Sequence, residues 1–398
     1  MKRDPMMKKG VYIKTGSEFQ LSLLLEKFKD EFLNRSLSIR QLKRCSKCIL
    51  PSTFPGIDID SLGVCNFCRN YEAVPLKGET KLKDLIDKIG AKKGEFDALI
   101  PFSGGRDSSF LLHFLKRELG LNPIAFSYDW GMMTDLARRN QSRLCGSLGI
   151  KHIVISADLR KKRENIRKNV VAWLKKPHLG MIPLFTAGDK HYFYYVNKLM
   201  KAYNISVVFM GENRFERTDF KTAFTGGRQK NSGYMAYDID LLNKVKLISF
   251  YLGQFLINPK YLNLSLADTI IAFISFYLSP RKYENLYDYI KWDEELINRI
   301  ITEEYGWETD PGTLSTWRIG DGTAAFYNYI YYMVAGFTEN DTFRSNQIRE
   351  GVLSRGEAIK KSEIENQPRW ESIRWYCDTI QINFEDTIEA INKIKKLY

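Results

Sequence analysis

Short apolar runs alternate with amphipathic helical periods through the middle of this chain. Strands are predicted at Asp97–Phe102, Pro123–Tyr128, His152–Ser156 and Ser206–Met210. Helices are predicted at Asp107–Leu119, Thr134–Leu148, Leu159–Trp173 and Asp189–Tyr203. Strands that are apolar throughout and alternate with helices predict an α/β fold, a doubly wound parallel sheet covered on both faces.

The pattern changes on both sides of this alternation, and we divide the chain accordingly. The predicted parts are an N-terminal helix within 1–40, a turn-rich segment at 41–75, the α/β domain at 76–235, an apolar helical insertion at 236–300 and a helical C-terminal region at 301–398. The N-terminal helix is expected from Glu18 to Phe32.

The apolar insertion allows two interpretations. Its helices, within Leu241–Ile290, could dock on a membrane surface or a partner, or they could form a subdomain with a core of its own. We favour the second interpretation. Asp268 borders the longest apolar run, Thr269–Leu278, which is too short to cross a bilayer, so no transmembrane segment is predicted.

Composition narrows the class of protein. The chain has 398 residues, of which 44% are hydrophobic and 27% charged, as in soluble globular proteins. Its net charge of +13 favours anionic partners, although the basic residues are widely spread. No signal peptide is recognisable, and the six cysteines do not suggest a disulfide scaffold, so we expect a cytoplasmic protein.

One strand–turn–helix stretch has the pattern of a phosphate site. It contains Ser103, Gly104, Gly105, Arg106, Asp107 and Ser108. Glycines let a backbone approach an anion, and the N–H groups of a starting helix, with two serine hydroxyls, can bind it. Asp107 fits such a site if a divalent cation joins it to the phosphates. The Walker lysine and the dinucleotide G-x-G-x-x-G pattern are both missing. An ordinary glycine turn is the alternative.

Two C-x-x-C pairs, Cys45/Cys48 and Cys65/Cys68, flank sixteen residues rich in turn formers. Four thiolates in this spacing predict a zinc ribbon with a closed, structural site. Two pairs of free thiols or an iron–sulfur cluster are the alternatives. Cys145 and Cys377 lie in helical contexts without a nearby histidine and are predicted to be core thiols.

Further polar clusters follow other strands and precede or lie within C-terminal helices. They comprise Ser127 and Asp129, Glu212 in GENRFE, Asp321 in GDGT, and Arg344, Asn346 and Arg349 in FRSNQIREG. The carboxyl ends of parallel strands share one edge of a sheet, where ligands bind. Asp129 could instead cap the helix that starts at Thr134, and the C-terminal blocks could be ordinary solvated surface.

The stretch SGGRDS resembles the PP-loop of the N-type ATP pyrophosphatases. From Cys45 to about Ala358 the chain resembles one branch of them, the N-acetyl sugar amidotransferases of surface-polysaccharide (O-antigen, lipopolysaccharide) biosynthesis. The resemblance depends on CSKC…CNFC, PFSGGRDSSFLLH, GENRFE, GDGT and FRSNQIREG, of which the first two are the most specific.

The resemblance implies a ligase reaction. ATP would adenylate the N-acetyl oxygen of a nucleotide-linked acetamido sugar, and ammonia from a separate glutaminase and its synthase-like partner would replace AMP, leaving an acetamidino group. The PP-loop serines and glycines would hold pyrophosphate, with Arg106 or Arg214 steadying it. Asp107 and Glu212 would hold Mg²⁺, and Ser127 and Asp129 would meet the adenosine. The sugar nucleotide would contact Asp321, Arg344, Asn346 and Arg349.

A tRNA-modifying enzyme of the thiolation type is the competing hypothesis, because a PP-loop beside a zinc ribbon and a basic charge would suit it too. No second cysteine pair follows the PP-loop domain, and no concentrated basic stripe with interleaved aromatic residues is visible. We therefore do not expect nucleic acid as a partner. A docking protein with an inactive PP-loop is disfavoured because the motif is intact.

Overall fold

The computed structural model describes residues 16–90, 94–216, 220–226, 241–278 and 283–398. It comprises two compact units, divided between Gln41 and Leu42. In the first unit, helix α1 spans Gly16–Arg40, so it continues well beyond the predicted end at Phe32. Every other element belongs to the second unit.

The second unit begins with the cysteine-rich segment. Isolated antiparallel bridges join Arg44 to Pro51 and Ile59 to Cys65, as the hairpins of a ribbon require. Helix α2, Asn66–Arg69, contains the last cysteine. Helix α3, Glu79–Gly90, then leads into the sheet.

Five parallel strands form the sheet in the order β3-β2-β1-β4-β5. They are β1 (Ala98–Pro101), β2 (Pro123–Asp129), β3 (His152–Ser156), β4 (Val208–Met210) and β5 (Tyr283–Asn285). The central strands are buried because apolar side chains occupy both faces. The first four strands confirm the predicted parallel α/β architecture. The fifth was not predicted, because only three residues of a polar segment pair with β4.

Helices between the strands cover the sheet. They are α4 (Arg106–His113), α5 (Asp135–Leu148), α6 (Leu159–Lys175), α7 (Tyr192–Ala202) and α8 (Phe220–Ala223). Helix α4 passes into a π-helical turn at Phe114–Glu118, and α7 follows a long 3₁₀ segment, Leu179–His191. A core of aliphatic and aromatic residues unites strands, helices and the C-terminal region, which packs Ile301 and Phe343 into it.

The C-terminal region is helical, as predicted. Its helices are α11 (Glu294–Tyr305), α12 (Ala324–Ala335), α13 (Glu339–Arg349), α14 (Arg355–Glu365), α15 (Trp370–Thr379) and α16 (Phe384–Lys393). Helix α13 contains the FRSNQIR sequence and is buried along most of its length.

The apolar insertion contains α9 (Leu241–Ile257) and α10 (Ser265–Phe273), which ends in a π-helical turn at Ile274–Leu278. Both helices contact the main domain and also expose large aliphatic side chains, and the favoured prediction of a subdomain with a core of its own stays a prediction. Asn258 Nδ2, for example, donates to the Ala172 carbonyl of α6 at 2.7 Å. None of the described helices combines the length and apolar character needed to cross a membrane.

Candidate active site

The predicted phosphate turn lies at the carboxyl end of β1, where the central strand meets α4. Gly104 has a φ of 77°, and a Cβ there would come within 2.6 Å of the Ala137 carbonyl oxygen. Both features exclude a side chain. Trp307 Nε1 donates to the Gly104 carbonyl at 3.1 Å and thereby fixes the turn from the C-terminal region.

The start of α4 has the donors that an anion requires. Within the described structure no side chain caps this helix, whose N-cap is Gly105. Ser103 Oγ accepts from the Gly105 N–H at 3.2 Å and lies 3.1 Å from Ser108 Oγ. First-turn N–H groups lack partners inside a helix. With the two hydroxyls, they form a cradle that fits a phosphate group.

Asp107 projects from the first turn of α4 and is held on several sides. Trp292 Nε1 donates to its Oδ1 at 2.7 Å, and Asn213 Nδ2 donates to its Oδ2 at 3.0 Å. A Cβ on Gly211, at the end of β4, would meet the Asp107 carbonyl oxygen at 2.9 Å. The carboxylate therefore has a defined position between β4 and the C-terminal region.

We predicted that Arg106 contacts pyrophosphate, and in the structure its guanidinium contacts side chains of the protein. Its guanidinium contacts both oxygens of Asp107 at 3.1 Å, and Nη1 also contacts Glu294 at 2.8 Å and Thr316 at 2.9 Å. The side chain is buried beneath the ring of Trp292. Because every guanidinium nitrogen has an acceptor within the protein, Arg106 positions Asp107, and its predicted contact with pyrophosphate stays a prediction.

Glu216 is the carboxylate that the structure brings to Asp107, and sequence analysis missed it. Asn213 Nδ2 donates to Asp107 and also to Glu216 Oε1, the latter at 2.8 Å. Asn213 Oδ1 accepts from the Phe215 N–H at 3.0 Å, and this Asx turn directs the chain back toward α4. The backbone of Glu212, the predicted residue, instead exchanges hydrogen bonds with the side chain of Asn285. Both glutamates stand in GENRFE, so only the turn distinguishes them.

The neighbourhood of Asp107 changes the acidity of Glu216. Burial and the negative charge of Asp107 raise the pKa of Glu216 to about 8, against the opposing effect of the Arg318 and Arg106 charges. Two carboxylates this close repel each other when both are ionised. A bound cation would relieve this repulsion. Carboxylate oxygens are hard ligands, so the Asp107 and Glu216 pair fits Mg²⁺.

A second charged cluster lies beside Glu216 and contains Arg318, Glu339 and Lys221. Glu339 is fully buried and pairs with Lys221 at 2.6 Å and with Arg318 at 3.3 Å. Burial alone would raise the pKa of Glu339, but the charges of Arg318 and Lys221 lower it to about 2. Arg318 has a φ of 53° and a side chain that is 30% exposed. Sequence analysis missed these residues because their spacing shows no motif.

Asp321 lies near the phosphate turn, although far from it in sequence. A Cβ on Gly320 would touch Ala137 at 2.9 Å and come within 3.8 Å of the Ser103 carbonyl oxygen. An isolated bridge joins Met133 to Asp321, whose Oδ1 accepts from the Thr323 N–H at 2.9 Å. The GDGT turn thus borders the site, and the role of Asp321 with a substrate stays a prediction.

Ser127 and Asp129 are both buried near the end of β2. Ser127 Oγ donates to the Phe102 carbonyl and lies 2.7 Å from His152 Nε2, so its hydroxyl faces inward. Asp129 accepts from the Gly131 N–H at 2.9 Å and pairs with Arg138 at 2.8 Å. The alternative that Asp129 caps the next helix is wrong, because Thr134 Oγ1 accepts from the Ala137 N–H. Their predicted contact with adenosine stays untested.

The residues of FRSNQIREG brace α13 against other elements. Arg344 is buried and pairs with Glu294 at 2.9 Å and with Glu365. Asn346 Nδ2 donates to the Phe215 carbonyl at 2.8 Å, and Arg349 Nη2 lies 3.8 Å from Cys48 Sγ. These contacts do not favour the predicted role in sugar binding, since they use the side chains within the protein. Arg214, the other predicted pyrophosphate contact, donates to the Val74 carbonyl.

The four predicted cysteine ligands form one buried cluster, with all four Sγ atoms within 4.8 Å of one another. Cys45 and Cys68 lie 3.9 Å apart, and Cys48 and Cys65 lie 3.8 Å apart. A tetrahedron with Zn–S bonds of about 2.3 Å has edges of about 3.8 Å, so the cluster fits a zinc ion. The hydrogen bond from Cys45 lowers the pKa of Cys48 to about 6, assisted by the charge of Arg349.

The two remaining cysteines have no such surroundings. Cys145 and Cys377 are buried, and burial raises the pKa of each thiol to about 12. A thiol that resists ionisation is a poor nucleophile and a poor metal ligand. Their placement agrees with the prediction of core thiols.

Comparison with known proteins gives distant similarities to solved structures. No protein-family model matches the sequence. No curated protein matches it either. An NH₃-dependent NAD synthetase from Campylobacter jejuni, solved with nitrate, is 14% identical over 51% of this chain and 96% of its own, with a TM-score of 0.25. An NMN synthetase from Francisella tularensis is 17% identical over 58% of this chain and 86% of its own, with a TM-score of 0.27.

Proposed function

We propose that this chain is an ATP-dependent amidotransferase that forms AMP and pyrophosphate. It converts the N-acetyl amide of a nucleotide-linked acetamido sugar into an acetamidino group with ammonia. The observation that supports the nucleotide part is the uncapped start of α4 beside Asp107 and Glu216, at the carboxyl edge of a parallel sheet. The assignment of a nucleotide-linked acetamido sugar as the acceptor depends on the resemblance of motifs such as GENRFE, GDGT and FRSNQIREG to the N-acetyl sugar amidotransferases.

The chain's own residues suggest how the nucleotide is held. Ser103, Ser108 and the first-turn N–H groups of α4 bind the pyrophosphate of ATP. Asp107 and Glu216 hold Mg²⁺, which supplies charge neutralisation to the phosphates. We propose that Arg318, and not Arg106, is the cation that stabilises the leaving pyrophosphate. Arg318 is partly exposed beside Glu216, whereas Arg106 is buried and its donors are already used by Asp107 and Glu294.

The reaction proposed for this site has two displacements. The amide oxygen of the sugar attacks the α-phosphorus, and the bond from that phosphorus to the pyrophosphate oxygen breaks. The nitrogen of ammonia then adds to the activated amide carbon and loses protons, and AMP leaves with the former amide oxygen. The first displacement needs alignment and charge stabilisation more than a proton transfer, which agrees with a site built from N–H donors and carboxylates.

The acceptor enters from the side that the C-terminal region borders. Asp321 and Arg318 are the partly exposed polar residues that the described structure places there, and they pair at 3.7 Å. We therefore propose that they contact the sugar or its nucleotide phosphates, in place of Arg344, Asn346 and Arg349. A separate glutaminase with a synthase-like partner supplies ammonia in the cytoplasm, and the product serves surface-polysaccharide synthesis.

The decisive experiment measures pyrophosphate release from ATP with ammonium chloride. Acceptors are a panel of nucleotide-linked diacetamido sugars and, separately, bulk tRNA. Release with one sugar, and a product about 1 Da lighter as oxygen is replaced by NH, supports the proposal. Release that only tRNA stimulates would move the chain to the thiolation type of enzyme and contradict the sugar assignment.

A matched pair of substitutions tests the metal ligands. Glu216→Gln should lower Mg²⁺-dependent pyrophosphate release about 100-fold, because a neutral amide loses charge stabilisation in the transition state. Glu212→Gln, an equal change four residues earlier, should retain most of the activity. Equal losses in both variants, or a larger loss in Glu212→Gln, would return the ligand role to the residue that we predicted from sequence.

A further inference from the structure

Helix α9 exposes a stripe of aliphatic side chains. Leu241, Val245, Ile248, Leu252 and Leu256 follow one another at helical spacing and are between 43% and 81% exposed. Leu247 and Phe255 of the same helix are buried. Helix α9 therefore directs an apolar face to solvent.

A second stripe continues along the same segment. Leu264, Ile270, Ile271, Ile274 and Leu278 lie on α10 and its π-helical turn and are between 44% and 69% exposed. Of the 25 large hydrophobic side chains that are exposed among the described residues, 13 fall within 241–278. Exposed apolar residues scattered singly need no explanation, but this concentration does.

The segment is anchored from its inner side. Asn258 donates to the Ala172 carbonyl, and Ser265 Oγ donates to Asn169 Oδ1 at 2.7 Å. Asp268 pairs with Lys162 at 2.5 Å and accepts from Asn165 at 2.7 Å. These buried polar contacts fix which face of the segment points outward.

The outward side carries charge of one sign. The ionisable residues of 241–278 other than tyrosine are Lys244, Lys246, Lys260 and Asp268, and the carboxylate of Asp268 is used in its inward pair. Lys260 also lies near Lys175, since their mutual repulsion lowers the pKa of Lys175. Lys176 Nζ, beside them, donates to the Ile257 carbonyl at 3.1 Å. Lysines thus stand next to the exposed end of α9.

We propose that the segment Leu241–Leu278 binds the surface of an anionic lipid bilayer, with its aliphatic stripes in the interface and its lysines at the lipid phosphates. Exposed aliphatic stripes on a segment whose ionisable residues are lysines, apart from the inward-paired Asp268, have the composition of an interfacial membrane anchor. A second copy of the chain fits less well, because it would bring the lysines of the two segments together, while Asp268, the acid within 241–278, is already paired with Lys162. The proposal does not depend on the catalytic function.

Vesicle sedimentation with the full-length chain tests this surface. We expect the protein to co-sediment with vesicles of phosphatidylcholine and phosphatidylglycerol, and about tenfold less with phosphatidylcholine alone. The triple variant Leu252→Gln/Leu256→Gln/Ile270→Gln should lose about tenfold or more in binding. Leu62→Gln/Leu314→Gln, changed at two leucines that are each 82% exposed outside the segment, should bind like the wild type.

Charge reversal provides a second, independent variant. Lys246→Glu/Lys260→Glu should weaken binding to the anionic vesicles by about fivefold per lysine, whereas Lys393→Glu, a lysine on α16, should not. Equal binding of wild type and triple variant would overturn the proposal. It would also be overturned by a wild type that ignores both vesicles and forms a dimer that the triple variant dissociates, since the occupant would then be a second copy.

Discussion

At the scale of single residues, the chemistry of Asp107 is determined by the preceding residue and by neighbours from two distant parts of the chain. Asn213 links it to Glu216, Trp292 donates to it, and Arg106 compensates its charge. Asp107 is the acid that every sequence argument selects, and the structure adds Glu216, which shares the Asn213 donor with it. A carboxylate pair with a shared hydrogen-bond donor is the feature that makes this site testable.

The raised pKa of Glu216 predicts a pH-dependent stability. With a folded pKa of about 8, Glu216 keeps a proton that it loses in the unfolded chain near pH 4.5, so the folded state binds more protons between these values. Stability should therefore fall as the pH rises from about 5 to 8 by on the order of 3–4 kcal/mol. In Glu216→Gln this decrease should disappear, as measured by urea unfolding in EDTA.

The control for this prediction is Glu303→Gln on the surface of α11, which should keep the wild-type dependence on pH. A wild type whose stability rises between pH 5 and 8, or a Glu216→Gln variant that follows the wild-type curve, would show that the two carboxylates do not interact as described. Adding Mg²⁺ should reduce the difference, because a bound cation favours the ionised glutamate.

At the scale of elements, α13 is the part whose role the structure changes most. Its polar residues looked like ligand contacts in the sequence, but they connect the helix to the ribbon, to the turn before Glu216 and to Glu294. Ser345 Oγ, for example, accepts from the Ile49 N–H. A polar helix can be buried when each donor has a partner, and such a helix positions other elements.

The GDGT turn is the second element whose position matters, and Gly322 can test it. A Cβ there would come within 2.2 Å of the Trp375 ring and 2.7 Å of the Met132 carbonyl oxygen. Gly322→Ala should therefore destabilise the protein by about 1–3 kcal/mol and weaken ATP binding, because the turn must move away from the phosphate site. Thermal unfolding and ATP titration provide the measurements.

Gly356→Ala is the matched control. A Cβ at Gly356 meets nothing within 4 Å, and the residue lies in helix α14, where alanine is preferred by about 1 kcal/mol. This variant should be as stable as the wild type or slightly more so. If Gly322→Ala behaved in the same way, the packing of the turn against Trp375 would be wrong.

At the scale of the whole molecule, a series of contacts connects the cysteine cluster to the phosphate turn. Arg349 of α13 contacts Cys48, Arg344 of the same helix pairs with Glu294, and Glu294 pairs with Arg106, which holds Asp107. Burial would raise the pKa of Glu294, but the charges of Arg106 and Arg344 lower it. The cluster and the phosphate turn therefore share one rigid support.

Loss of a cluster ligand should affect both ends of this series. Cys48→Ser should lose bound zinc, lower the melting temperature by about 5–10 °C and weaken ATP binding, because a zinc site of this type contributes folding energy. Metal analysis, thermal unfolding and ATP titration measure these effects. Cys145→Ser should keep its metal. A zinc-free wild type, or one that contains iron and sulfide, would contradict the zinc assignment.

Much of the fold could be predicted because local patterns encode it. The strand at His152–Ser156 was predicted to the residue, and Thr134 marked the start of α5 as its N-cap. The short strand Tyr283–Asn285 was missed, because its pairing with β4 comes from tertiary contacts and not from an apolar run. The exposed face of Leu241–Leu278 was only the less favoured of two interpretations, since periodicity shows a face without showing what covers it.

The sequence by itself determined the α/β alternation, the phosphate turn and the pairing of four cysteines. Each depends on residues close together in the chain, where spacing and backbone geometry are enough. Only the tertiary structure decided that Glu216 shares the Asn213 donor with Asp107, and that Arg106 and Arg344 pair with Glu294. The physical reason is that the charges compete for partners in three dimensions. Neutralising a buried arginine depends on which carboxylate lies within about 4 Å of it, and spacing along the chain does not specify that.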